Sequence, residues 1–124
     1  MNRKQGQLVQ TEADILATAL RLLREGSSEF YGFQLTEELQ ADTGSRFKMA
    51  FGTLYRALDR LEGMGMLAST WEDPQSALDE GRPRRRFYRL KGSPEAVERT
   101  LAEYEAEQRR KAAAKVGQLR PVGA

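Results

Sequence analysis

Arginine is the residue in this chain that could do chemistry, and its spacing indicates which chemistry. In residues 81–91 stand Arg82, Arg84, Arg85, Arg86, Arg89 and Lys91, with no acid among them. A second basic set, Arg46, Lys48, Arg56 and Arg60, brackets the start of an amphipathic stretch. Guanidinium groups are planar, forked and always charged, so clusters of them suit phosphate oxygens and guanine edges. The net charge is only +2, so the informative feature is local concentration of cations on a balanced chain, the pattern of a nucleic-acid footprint. One such run reads equally well as a solvated face; two in this order favour the footprint. Just before the main run, Glu72, Asp73, Asp79 and Glu80 make an acidic stretch that phosphate should repel.

Other chemistries are excluded by what is missing. The chain has no histidine and no cysteine, which removes the common nucleophilic triads, the usual zinc sites, imidazole proton transfer and disulfides. Its carboxylates are scattered over polar helical faces, and no phosphate-cradling glycine loop or calcium-loop spacing occurs. No catalytic residue, metal or cofactor is therefore expected, and an enzyme is not. No apolar run approaches the roughly 20 residues that cross a bilayer, and residues 1–10 are polar, unlike a secretion signal. A cytoplasmic protein with no membrane partner is the expectation. At 124 residues, 40% apolar and 31% charged, the chain suits one highly charged helical domain.

The elements that must position the arginines follow from periodicity. Residues 1–10 have none and read as a flexible arm carrying Arg3 and Lys4. Thr11 and Asp14 make a start like a capping box, and Ile15, Leu16, Ala19, Leu20, Leu22 and Leu23 recur at helical spacing before Gly26. A second helix is predicted over 31–42, with Leu35 and Leu39 inward and Gly44 as its left-handed cap. A third begins near Ala50, with Phe51, Leu54, Leu58 and Leu61 inward, and Gly63 and Gly65 end it. Residues 66–71 and 84–90 read as a hairpin whose long loop carries Pro74 and Gly81-Arg82-Pro83. Ser93 and Pro94 then open a last helix reaching about Lys115, with a stripe of Val97, Leu101, Tyr104 and Ala112. So thin a stripe needs a partner surface.

Three helices, a β-hairpin and a further helix is the order of a winged helix-turn-helix, mainly α with one small hairpin. In that fold the third helix presents its front to the major groove, and the hairpin, or wing, reaches the neighbouring backbone. The expected division is an arm over 1–10, a DNA-binding domain over 11–92, a dimerisation helix over 93–116 and a frayed tail over 117–124.

Three blocks carry a family resemblance. Phe30-Tyr31-Gly32-Phe33, the run Gly52-Thr53-Leu54-Tyr55-Arg56-Ala57-Leu58-Asp59-Arg60-Leu61-Glu62, and Gly81-Arg82-Pro83-Arg84-Arg85-Arg86-Phe87-Tyr88-Arg89-Leu90 are similar to the second-helix, recognition-helix and wing signatures of the PadR family of bacterial transcriptional regulators. The resemblance covers about residues 12–92, and the last helix resembles the single dimerisation helix of the family's short members. It implies a dimer on double-stranded DNA, with two third helices in successive major grooves of an inverted repeat blocking a promoter. It also implies relief by a small-molecule effector, which no residue here identifies. The family's DNA-binding groups carry over onto Tyr31, Thr53, Tyr55 and Arg56. Joined to the basic runs, the candidate DNA-binding set is Tyr31, Lys48, Thr53, Tyr55, Arg56, Arg60, Arg82, Arg84 and Arg86. The candidate dimerisation set is Val97, Leu101 and Tyr104. The sequence departs from the family at Ala50, where a serine cap is common, at Arg56, often proline, and at Lys91, usually threonine.

Several of these residues have plainer readings. Tyr31 and Tyr55 also suit packing between helices, Thr53 suits the first helical turn, and Arg56 suits an ion pair with Asp59 or a phosphate contact. Trp71 suits a core, a covered edge or the wall of a ligand pocket. Strand alternation turns Arg85 away from Arg84 and Arg86. The competing functional expectation is a winged-helix module that joins a protein assembly without reading DNA, which the acidic wing and balanced charge favour.

Overall fold

Leucine spacing builds the first helix as expected, with its start shifted slightly. In the computed structural model, which describes residues 7–118, α1 spans Gln10–Arg24 and buries Ile15, Leu16, Ala19, Leu20 and Leu22. The Val9 backbone N–H donates to Glu12 Oε1 at 3.0 Å, so Glu12 rather than Asp14 satisfies the first turn. Of the arm expected over residues 1–10, Leu8 is buried in the core and Gln10 is already helical. Arg3 and Lys4 lie outside the described residues.

A two-residue strand, β1 (Phe30–Tyr31), precedes α2 (Gly32–Thr43), which buries Leu35 and Leu39 and ends at Gly44 in the left-handed region. The third helix, α3 (Phe51–Gly63), buries Leu54, Ala57, Leu58 and Leu61 behind an Ala50 cap that makes no side-chain bond. Periodicity places Phe51 inward, yet it is 50% exposed. Core contact begins one turn later, at Leu54, and the first turn overhangs it.

The wing hairpin consists of β2 (Leu67–Trp71) and β3 (Arg86–Leu90), paired antiparallel, and β1 pairs with the other edge of β3. The sheet order is β1-β3-β2. Two residues are too few to show a period, so β1 is not foreseen from sequence. Nor is α4 (Pro74–Asp79), a short helix inside the wing loop. Its local cause is plain: Asp73 Oδ2 accepts from the Ser76 N–H at 3.2 Å, and Pro74 opens the first turn.

The last helix, α5 (Pro94–Gln118), starts where Ser93 Oγ accepts from the Ala96 N–H at 3.1 Å, and it runs past the expected end near Lys115. Its apolar stripe meets α1 of the same chain. Val97 joins the core, Leu101 and Tyr104 pack half-buried against it, and the Tyr104 hydroxyl bonds Gln10 Oε1 at 3.2 Å. Of the dimerisation set, Val97 is thus consumed within the chain, and Leu101 and Tyr104 are shared with α1. Residues 109–117 are all exposed. Among the described residues no helix is long and apolar enough to cross a membrane.

Two charged knots brace the helices. Arg21 on α1 bonds Glu25 at 2.9 Å, Glu38 at 2.5 Å and Asp42 at 3.0 Å, and Glu38 and Asp42, ahead of Glu25, push its guanidinium pKa further up. Arg60, one of the candidate DNA-binding residues, makes the second knot within the chain. Its Nε lies 2.9 Å from Glu12 Oε2 without the in-line geometry of a hydrogen bond, and its guanidinium donates to the Gln7 carbonyl at 2.9 Å. The Glu12 side chain is 2% exposed, so α3 is tied here to α1 and to the incoming chain. Arg60→Ala should cost about 1–3 kcal/mol in urea denaturation, because it strands a buried carboxylate. Duplex affinity per folded molecule should not change. Lost affinity with unchanged stability would return Arg60 to the DNA face.

Candidate nucleic-acid interface

With Leu54, Ala57, Leu58 and Leu61 inward, helical geometry turns Gly52, Arg56 and Asp59 to the opposite side of α3. Thr53 lies on one flank, Phe51 and Tyr55 on the flank toward the wing. Thr53 and Arg56 are both exposed. Arg56 makes no hydrogen bond or ion pair among the described residues, so a pairing with Asp59 is not formed. One guanidinium nitrogen folds back along the first turn, 3.6 Å from where a Cβ on Gly52 would stand.

Phe51 and Tyr55 stand one turn apart with ring centroids 6.2 Å from each other. The Tyr55 hydroxyl rests over the start of α2, where a Cβ on Gly32 would meet it at 2.3 Å. The glycine after Tyr31 is therefore required by a side chain of α3. Tyr31 caps α2 without a side-chain bond, meets Phe87 edge-on at 5.9 Å, and carries the Arg85 guanidinium 4.2 Å above its ring. Both tyrosines thus pack between elements and also border an open groove.

That groove, of about 810 Å³, runs between the start of α2, the front of α3 and the wing stem. Tyr31, Phe33, Phe51, Tyr55 and Trp71 line it with Arg82, Arg84, Arg85 and Arg86. Trp71 is 58% exposed on the strand edge, with Arg84 and Arg86 guanidiniums 5.6 Å and 5.9 Å from its ring. Arg85 does sit apart from these two, on Tyr31. All three still share the groove, because Arg84 and Arg85 precede β3 and strict strand alternation does not govern them. Lys48 stands at the margin, 5.1 Å from the Phe33 ring and 3.7 Å from Glu37.

The wing arginines have divided duties. Arg82 forks onto Glu72 at 2.6 Å and 2.7 Å and touches Glu80 at 3.2 Å, its side chain 20% exposed. Both terminal nitrogens of the fork are thus engaged in closing the wing loop. Glu72 is the other half of the closure. Its N–H donates to the Arg85 carbonyl at 2.8 Å, its Oε1 accepts from the Arg85 N–H at 3.1 Å, and its carbonyl accepts from Arg84 Nε at 2.9 Å. Arg86 bonds Glu62 at 2.9 Å and Ser69 Oγ at 3.1 Å, which fastens the wing to α3. Arg84 and Arg85 have no acid in ion-pair contact among the described residues. The acidic loop is also less repulsive than its composition, since Arg82 answers Glu72 and Glu80.

The sequence reading passed over Phe33 and Arg85 as site residues and placed Phe51 in the core. One signal was available: Phe51 opens its helix, and a first-turn residue ahead of a buried stripe commonly overhangs it.

The Arg82 guanidinium holds the Glu72 carboxyl down at about 2, from an ordinary 4.5. A carboxyl depressed by folding adds stability that is complete above its unfolded pKa and is lost as pH falls toward its folded one. The wild-type melting temperature should therefore drop between about pH 5 and pH 2.5 more steeply than that of Glu72→Gln, which lacks this contribution throughout. Parallel curves would show that the closure does not hold Glu72 ionised.

Comparison with known proteins agrees with this geometry. Residues 19–93 match the transcriptional regulator PadR-like family. A transcriptional regulator from Clostridium thermocellum is similar in structure at TM-score 0.53 and 22% identity, over 90% of this chain and 93% of that one. A PadR family transcription regulator from hypervirulent Clostridium difficile is similar at TM-score 0.51 and 25% identity, over 87% of this chain and 98% of that one. The ORC1 protein of Aeropyrum pernix, in complex with DNA, shares the fold at TM-score 0.58 and 16% identity, over 82% of this chain and 26% of that one. No curated protein matches the chain. The matched family runs from the middle of α1 through the whole wing to Ser93, and its members are regulators, not enzymes. This winged-helix chain belongs to the PadR-like family of transcriptional regulators, and its work is DNA-binding regulation.

Proposed function

We propose that the chain is a homodimeric repressor, acting in the cytoplasm, that reads an inverted repeat with the front of α3 and grips the backbone with the stem of the wing. The free guanidinium of Arg56 carries this proposal. It is exposed, opposite the buried stripe, and committed to no acid among the described residues, so its fork is free for guanine. Thr53 and Tyr55 flank it. Arg84 and Arg85 at the wing stem suit phosphate oxygens, which position a duplex without reading it. Lys48 adds a cation at the start of the same face. Arg86 serves chiefly to hold the wing.

Arg56→Ala should cost about 1–3 kcal/mol on the cognate duplex and much less on a scrambled one. Arg84→Ala should weaken both alike. If each subunit neutralises about four phosphates, log K should fall against log salt with a slope of roughly −7 for the dimer. Equal losses on both duplexes for Arg56→Ala would move base reading to Thr53 and Tyr55. A slope near zero would favour a module that joins protein assemblies instead.

The dimer proposal rests on α5. Its residues 109–117 are all exposed, and an isolated helical end of this kind is marginal in water. Leu101 borders the grooves on both sides of α5, Tyr104 one of them, and a partner's helix would cover these. Sedimentation at micromolar concentration should find the full chain dimeric and a chain ending at Gln108, which keeps the α1 contacts, monomeric. A monomeric full chain would overturn this.

A further inference from the structure

The groove beside α3 offers more chemistry than a duplex backbone needs. Its walls carry exposed rings, Phe51, Tyr55 and Trp71, and flat exposed rings are platforms for planar heterocycles. At one end stand Arg84 and Arg85, beside the start of α2, whose cap residue Tyr31 supplies no side-chain acceptor. Uncapped N–H groups together with guanidiniums in ion-pair contact with no acid among the described residues make a phosphate seat. Asp59, the one acid lining the groove among the described residues, would repel a simple anion and accept from a hydroxyl or amino group.

We propose that this groove binds a nucleotide, with its phosphate at the start of α2 between Arg84 and Arg85, its base on the Phe51, Tyr55 and Trp71 rings, and Asp59 accepting from its hydroxyl or amino groups. The class follows by elimination among simpler ligands. Inorganic phosphate leaves the rings bare, a neutral aromatic leaves the arginines unanswered, and an anion without donors faces Asp59 unfavourably. A volume of about 810 Å³ is within the range of small-molecule sites. Because Phe51 and Tyr55 belong to the front of α3, an occupant competes with a duplex directly. This competition rests on the DNA-reading role of α3; the binding itself does not.

Trp71 is the only tryptophan of the chain, so its emission reports the groove. Adenosine monophosphate, titrated into the full chain without DNA at constant ionic strength, should quench it saturably. The midpoint should lie about tenfold or more below those of adenosine and of inorganic phosphate. Arg85→Ala should raise that midpoint at least about fivefold, and Arg89→Ala, on an exposed strand position outside the groove, should not change it. At ten times the midpoint the nucleotide should weaken duplex binding by about tenfold, as simple competition requires. No saturable quenching to about 10 mM, more than a thousandfold above a micromolar site, would overturn the proposal. So would a midpoint equal to that of inorganic phosphate. Nucleotide binding that leaves duplex affinity unchanged would overturn the competition. If the chain binds no duplex at all, the fluorescence titration still decides the site, so the two failures are separable.

Discussion

The double pairing of β3 is the constraint on which the rest depends. This strand bonds to β1 ahead of α2 and to β2 behind α3, so α2 and α3 are enclosed by strands that share one partner. Tyr88 sits at the junction, fully buried, with its ring stacked 6.2 Å from Phe30. A wing attached only through β2 would swing about the Gly65–Met66 link. The short β1 contact removes that freedom, and the Arg86–Glu62 bond reinforces it. Arg84 and Arg85 therefore keep a set position relative to Arg56, and a composite surface made from three separate stretches of chain behaves as one.

Within that frame the arginines sort by what their neighbours leave free. Arg21, Arg60, Arg82 and Arg86 each meet acids and act as fastenings. Arg56, Arg84 and Arg85 meet none among the described residues, and these three face outward or into the groove. A basic run therefore overstates the charge it presents. The Arg82–Glu72 fork also makes the wing loop self-contained, since it neutralises both ends of the acidic stretch while fixing the stem.

What was legible in the sequence follows from which forces are local. The α1, α2 and α3 stripes were readable because burial along one helix repeats with the helix itself, and the hairpin because alternation and turn residues are local too. The groove's glycine was readable only as a pattern, since its cause is the Tyr55 hydroxyl from another helix. β1 is illegible because two residues have no period, and α4 because a proline among acids suits a loop as well as a six-residue helix. The fate of each arginine was illegible for a different reason. Glu12 and Arg60 are distant in sequence, and Glu72 and Arg82 are separated by a helix that was not foreseen. The stripe of Val97, Leu101 and Tyr104 shows in the sequence that the last helix needs a surface, while nothing local says that α1 supplies one.

The Arg21 knot has an electrical consequence. It gathers Glu25, Glu38 and Asp42 around one cation, and two of these acids stand near the far end of α2, whose beginning opens on the groove. Negative charge is thus pooled at one pole while Arg56, Arg84 and Arg85 occupy the other. A net charge of +2 gives only weak attraction to a polyanion, but a separated pair of poles experiences a torque in its field. On the proposed DNA-reading role of α3, such a separation would turn the groove toward a duplex before contact, filtering encounter by orientation more than accelerating it by overall charge.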